Sequence, residues 1–285
     1  MFDIYAAVTD RIIAELEKGR IPWAKPWTGA RVSAGTADCA YSRSTGRAYS
    51  LINQILLGKP GEYLTFNQCK EAGGRIRKSE KASMVVFWKP LPVTEKNPIT
   101  GEDETRTIPF LRYYNVFHID QCEGIEPKVL PQDVQPFDPD EEAERITADY
   151  LQRSGVHLSH VRGDHAFYSP SGDLVQLPLV EQFKDKAEYY GTLFHELTHS
   201  TGHASRLNRL DKLAAFGSDN YSKEELVAEI GSAAIVHHLG LETNSSFRNS
   251  TAYIQSWIKA LRNDKRLIVS AAGKAEKAVA LILNL

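Results

Sequence analysis

Sulfur is scarce in this chain: three cysteines (Cys39, Cys69, Cys122) and two methionines occur in 285 residues. The cysteines are odd in number, far apart and never in a C-x-x-C pair, which argues against a disulfide framework or a cysteine-ligated zinc. No apolar run reaches the roughly 18 residues that a spanning helix needs, so no membrane is expected. The first helix carries Asp3, Asp10, Glu15 and Glu17, unlike a secretory or transit segment. No internal repeat is present. These absences predict a soluble protein of a reducing cytoplasm.

What is present is ordinary for a folded protein: 42% apolar and 25% charged residues. The length suits two domains of about 100–200 residues each. The stretch Glu126–Asp140 holds four prolines, which remove backbone donors and forbid a helix interior or central strand. It predicts an extended linker at 126–140 between domains at 1–125 and 141–285. Before it, Ile4, Val8, Ile12 and Leu16 repeat every four residues up to Gly19, an amphipathic helix. Pro22–Trp27 must be extended, Met84–Trp88 and Tyr113–Ile119 read as strands, and Asn97–Gly101 as a turn between them. After it, helices are expected at 141–153, 181–201, 222–239, 247–263 and 267–284, with two short strands in 166–178. The fold class is α+β, a mixed first domain and a mainly helical second one with a small sheet.

The strongest chemical signal is His195-Glu196-Leu197-Thr198-His199. Residues four apart on a helix share a face, so both imidazoles can reach one cation, and a catalytic zinc takes three protein ligands plus water. Glu196 is placed to act as general base on that water. The longer pattern with a third histidine fails, because Ser205 stands where it would be. The third ligand is therefore sought in Ser222-Lys-Glu-Glu-Leu-Val-Ala-Glu229. Glu225 is assigned as ligand and Glu229 as its outer support. The alternative stays open that Ser222 and Glu225 form a capping box, leaving Glu229 as the ligand. Arg206, His203 and Tyr221 are candidates for oxyanion stabilisation. One divalent metal is expected, zinc first, with manganese or cobalt also suited to these donors.

Charge is uneven. The whole chain is formally −2, yet Arg43–Lys89 holds nine basic residues against three acidic ones. Basic residues interleaved with aromatics are the pattern of single-strand binders, where bases stack on rings. The candidates are Trp23, Trp27, Arg43, Arg47, Tyr49, Arg75, Arg77, Lys78, Lys81 and Trp88, followed by Tyr113 and Tyr114.

Several runs together resemble the ArdC-type antirestriction proteins. In the first half these are Tyr5-x-x-Val8-Thr9, Pro22-Trp23-x-x-Pro26-Trp27, Thr45-Gly46-Arg47-x-Tyr49, Ile52-Asn53, Leu64-Thr65-Phe66-x-Gln68 and Tyr114-x-Val116-Phe117-x-Ile119-Asp120-Gln121. In the second they are His195–His199, Gly202-His203-x-x-Arg206-Leu207-x-Arg209 and Glu224–Glu229. The resemblance implies an N-terminal domain that binds single-stranded DNA and a zincin-like metallopeptidase domain acting on a protein or peptide substrate. It also implies a plasmid-borne protein that shields incoming DNA from restriction enzymes in the bacterial cytoplasm.

Overall fold

In the computed structural model, Asp3 accepts a hydrogen bond from the Ala6 N–H and starts α1 (Ile4–Glu17), whose Val8, Ile12 and Leu16 are buried. The structure describes residues 2–23, 39–96, 103–128, 139–210, 219–241 and 254–285. The expected turn at 97–101, Trp27 and most of the proline-rich segment lie outside them.

Three short elements missed in the sequence follow: β1 (Ala40–Ser42), α2 (Leu51–Leu57) and β2 (Gly61–Leu64). Next come α3 (Phe66–Glu71), β3 (Arg75–Ile76), β4 (Ser83–Lys96), β5 (Asp103–His118) and β6 (Cys122–Glu123). The main sheet runs β1-β2-β5-β4, and β3 pairs with β6. Strands β4 and β5 pair from Ser83–Val116 out to Lys96–Asp103, well beyond the two pairs that join β5 to β2. The hairpin is thus an arm projecting from the sheet.

Helix α2 is buried throughout, and two adjacent amides explain how it lies against strand edges. Asn53 donates to the Val86 carbonyl (2.8 Å) and accepts from the Val86 N–H (2.7 Å). Gln54 does the same for Ala40 at 2.8 and 2.9 Å. Each amide supplies the partner that an edge strand would otherwise lack.

The second half contains α4 (Pro139–Ser154), β7 (His157–Val161), β8 (Phe167–Ser169), β9 (Leu174–Pro178), α5 (Lys186–Ser200), α6 (Asp219–His238), α7 (Ile254–Asn263) and α8 (Leu267–Leu283). Its sheet has the order β7-β9-β8, with β8 antiparallel at an edge. The two halves share one core. Val8, Ile12 and Leu16 of α1 and Leu51, Ile52 and Ile55 of α2 belong to the same buried cluster as Trp257, Ile268 and Ala272. Trp23 is fully buried there, edge-on to Trp257 at 5.1 Å. No described helix is long and apolar enough to cross a membrane.

Helix α6 meets α5 through a glycine. A Cβ at Gly231 would lie 2.8 Å from Thr198 Cγ2 and 3.0 Å from Thr198 Oγ1. Ser232 Oγ also donates to the Gly191 carbonyl at 2.7 Å. We expect Gly231→Ala to cost about 1–3 kcal/mol by overpacking. Adding Thr198→Ala, which removes both clashing atoms, should recover most of it. Thermal unfolding of the single and double variants checks this; a double variant no more stable than the single one would refute the contact as the cause.

Candidate metal centre

Helix α5 begins at Asp185, which accepts from the Glu188 N–H at 2.8 Å, and buries Leu193, Phe194, Leu197 and Thr198 on its core side. His195 and His199 therefore stand one turn apart on its other side. Their Nε2 atoms face each other at 3.1 Å with the rings at 78°. Two nitrogens bound to one zinc at about 2.0–2.1 Å would lie roughly 3 Å apart, so this spacing fits a shared cation.

The carboxylate of Glu225 closes the group, at 3.5 Å from His195 Nε2 and 3.3 Å from His199 Nε2. One donor atom from each of the three residues lies within 4.8 Å of the others. The capping-box alternative does not hold, because α6 begins at Asp219 and Ser222 is inside it. Glu229 lies on the far side of His195, 4.0 Å from Nδ1. Glu196 is buried one residue after His195.

One outer carboxylate was missed in the sequence. Glu224 Oε1 lies 3.5 Å from His199 Nδ1 and is held by Arg209 at 2.8 Å. Arg209 also donates to the Thr201 hydroxyl at 2.7 Å. The turn that delivers it folds back over Gly202, where a Cβ would lie 2.8 Å from Leu210 Cγ. The only sequence signal for this chain of contacts was the pairing of a basic Arg209 with acids in the next helix.

Electrostatically the pocket is built for positive charge. Burial opposes protonation of His199, but Glu224 and Glu225 outweigh it and push its pKa up to about 10. His195 is likewise raised, burial being outweighed by Glu225. Burial works against the Glu225 carboxylate too, yet the two imidazoles hold its pKa well below the usual range. Two imidazoles and a carboxylate converging on one point, with further carboxylates behind the rings, are a donor set for a divalent cation.

The other candidates fall elsewhere. Arg206 is committed to Asp173 at 2.5 and 2.9 Å, to the Ser200 carbonyl at 2.8 Å and to Tyr168, a clamp that ties β8–β9 to the end of α5. It is not available to an oxyanion. His203 bonds Ser205 at 2.7 Å, and the Tyr221 side chain lies outside the described residues.

In the first half, two expected stacking residues are withdrawn. Trp23 is in the core and Tyr49 is buried against Tyr63, because both lie where helix and sheet close over them. Arg43 forms a largely buried pair with Glu62, which also accepts from the Lys128 N–H, so it serves the fold. Arg47, Arg75, Arg77, Lys78 and Lys81 are exposed. Arg75 pairs with Glu123 and Arg77 with Glu80. Trp88 is 53% exposed. Sequence reasoning missed Phe87 and Phe110, which with Tyr114 form an exposed aromatic row on one hairpin face. Arg112 lies over Phe110 at 5.8 Å. Strand alternation across 85–89 and 110–114 carried that signal.

Comparison with known proteins agrees with these two regions. Residues 2–117 match the N-terminal domain of anti-restriction factor ArdC, and residues 142–274 match a zincin-like metallopeptidase. The crystal structure of the antirestriction ArdC protein from plasmid R388, metal-free, shares 37% identity with a TM-score of 0.74, covering 99% of this chain and 97% of that one. Its Mn(II)-bound form shares 36% with a TM-score of 0.75, covering 99% and 98%. DNA primase TraC of Escherichia coli is 36% identical over 96% of this chain but only 19% of the primase; a second such primase is matched over 26% of its length. The chain thus spans only about a fifth to a quarter of the length of those relatives. The uncharacterized protein y4eC of Sinorhizobium fredii is 34% identical, with 96% and 90% covered. With a likeness that runs over nearly the whole of both chains, this protein belongs to the ArdC antirestriction family.

Proposed function

We propose that this chain is an antirestriction protein that binds single-stranded DNA and shields incoming plasmid DNA from host restriction endonucleases in the bacterial cytoplasm. Its second half acts as a divalent-metal peptidase. The observation that carries the peptidase half is the convergence of His195, His199 and Glu225 with Glu196 beside them.

His195 and His199 would hold the metal through Nε2 and Glu225 through its carboxylate. Glu229 and the Arg209–Glu224 pair orient the two rings from the Nδ1 side. The Mn(II)-bound relative supports a divalent ion, and these donors suit zinc first, manganese and cobalt also. When bound, the metal supplies Lewis acidity that polarises a carbonyl and acidifies water. Glu196 takes the proton of the attacking water and returns it to the leaving amine. The edge strand β8 offers backbone groups to an extended peptide.

A second reading is a DNA-dependent metallopeptidase that cleaves proteins on DNA. It is favoured by the single core joining the two halves, which fixes the peptidase beside whatever the first half holds. A purely structural metal is the third reading, and Glu196→Gln separates it from the others. That variant should lose peptide hydrolysis by at least a hundredfold, within the usual contribution of a general base, yet keep metal and DNA affinity. Residual wild-type hydrolysis would remove Glu196 from the base role.

Metal uptake has a defined pH dependence. The His199 pKa is pushed up to about 10, so this ring carries a proton near neutrality in the metal-free protein, and His195 is raised in the same direction; the metal must displace a proton to bind. Affinity should therefore rise with pH from 7 towards about 10, the value for His199. Calorimetric titration with zinc in two buffers of different ionisation enthalpy should show proton release; buffer-independent heat would contradict it.

For the DNA half, an Arg75→Ala, Lys78→Ala, Lys81→Ala triple variant should weaken single-strand binding and flatten its salt dependence. Unchanged affinity and slope would reject that loop as part of the track.

A further inference from the structure

Helix α8 carries a basic stripe that faces the base of the projecting hairpin. Arg266, Ser270, Lys274 and Lys277 fall at i, i+4, i+8 and i+11, one face of the helix. Between α8 and β4 lies a cavity of about 620 Å³ walled by Trp88 and Leu111 on one side and Ser270, Lys274 and Lys277 on the other. Leu111 also borders a second cavity of about 480 Å³, which runs on to Tyr5 and Arg266. The Arg266 guanidinium lies 5.2 Å over the Tyr5 ring, and Tyr5 lies 6.3 Å from Trp88. The two cavities thus adjoin at Leu111, with aromatic rings on the first-half side and cations on the second-half side, and we treat them as one groove.

Two acids, Asp3 and Glu276, also line these cavities, and each accepts a backbone N–H. Asp3 caps α1 through the Ala6 N–H, and the Glu276 carboxyl reaches the Leu51 N–H at the start of α2. Lys274 and Lys277 form no ion pair with a described residue, and both are exposed. From Arg266 to Lys277 the helix rises about 16 Å, room for about five stacked nucleotides at duplex-like spacing of roughly 3.4 Å. Exposed rings beside unpaired cations suit a single strand, whose bases are free to stack; a duplex keeps its bases inside.

We propose that this groove binds single-stranded DNA, with Trp88 stacking on a base while Lys274 and Lys277 of α8 hold the flanking phosphates. The inference rests on the reading of the chain as a single-strand binder, and it adds that the second half of the chain contributes directly to the DNA site. DNA in the groove would touch the helix that packs on α6, the bearer of Glu225.

The test is fluorescence anisotropy of a labelled oligo(dT) with the full chain across a salt series. Lys274→Ala/Lys277→Ala should lower affinity and reduce the slope of log K against log salt by about 1.4, two phosphates at roughly 0.7 each. Trp88→Ala should weaken binding roughly 5- to 150-fold, and Trp88→Phe should restore most of it. All three side chains are exposed, so each variant should melt near wild type. A double-lysine variant with the wild-type slope, or Trp88→Ala with wild-type affinity, would overturn the groove while leaving DNA binding standing. Failure of the wild-type chain to bind would instead refute the single-strand reading and the groove with it.

Discussion

The close approach of α5 and α6 is the constraint on which the site depends. Gly231 lets Thr198 reach the α6 backbone, and Ser232 ties the two helices at Gly191. At that separation the side chain of Glu225 reaches both imidazoles. A wider crossing would leave two histidines facing solvent and a buried carboxylate facing nothing, a costly arrangement for every charge involved. The glycine is therefore as much a part of the centre as the ligating residues, though it touches none of their reactive atoms.

The second organising feature is the shared core. Helices α1 and α2 pack on α7 and α8, so the first and last parts of the chain fold around each other. Ion pairs between Glu17 and Arg262 and between Asp10 and Lys265 lie at the edge of the same contact. A proline-rich segment between two halves suggests independent bodies on a tether. Here the core that it connects is continuous, and helices of each half pack directly on helices of the other.

What was legible in the sequence follows the range of each interaction. The H-E-x-x-H spacing is local to one helix, and its geometry is fixed by helical pitch alone. Glu225 and Glu229 were readable because a second helix carrying acids at i and i+4 must present both to one neighbour. Glu224 was not, since its role depends on Arg209 arriving from a turn whose path only Gly202 and Leu210 define. Asn53 and Gln54 were equally silent: adjacent polar residues in a helix read as surface, and nothing local reveals that two strand edges wait on the other side. Trp23 and Tyr49 erred in the opposite sense, because an aromatic residue in a basic segment looks the same in sequence whether it stacks on a partner or on its own core.

Charge shows why counting over a segment misleads. Arg43–Lys89 carries a large basic excess, yet Arg43 is spent on Glu62, Lys59 on Asp120, Arg75 on Glu123 and Arg77 on Glu80. Two of those acids lie beyond Lys89 in the chain, so the excess is partly neutralised by residues that the count leaves out. The α8 stripe sits in the half whose formal charge is negative, and it would be dismissed on that ground. Its lysines count because they stand beside exposed rings, and Glu276, the one acid among the described residues lining the same cavity, reaches a backbone donor. A polyanion responds to the local potential within about a Debye length, roughly 8 Å at physiological salt, and not to the sum over a domain. The relevant unit for reading a binding surface is thus the unpaired cation with its neighbouring ring, and that unit exists only once the chain has folded.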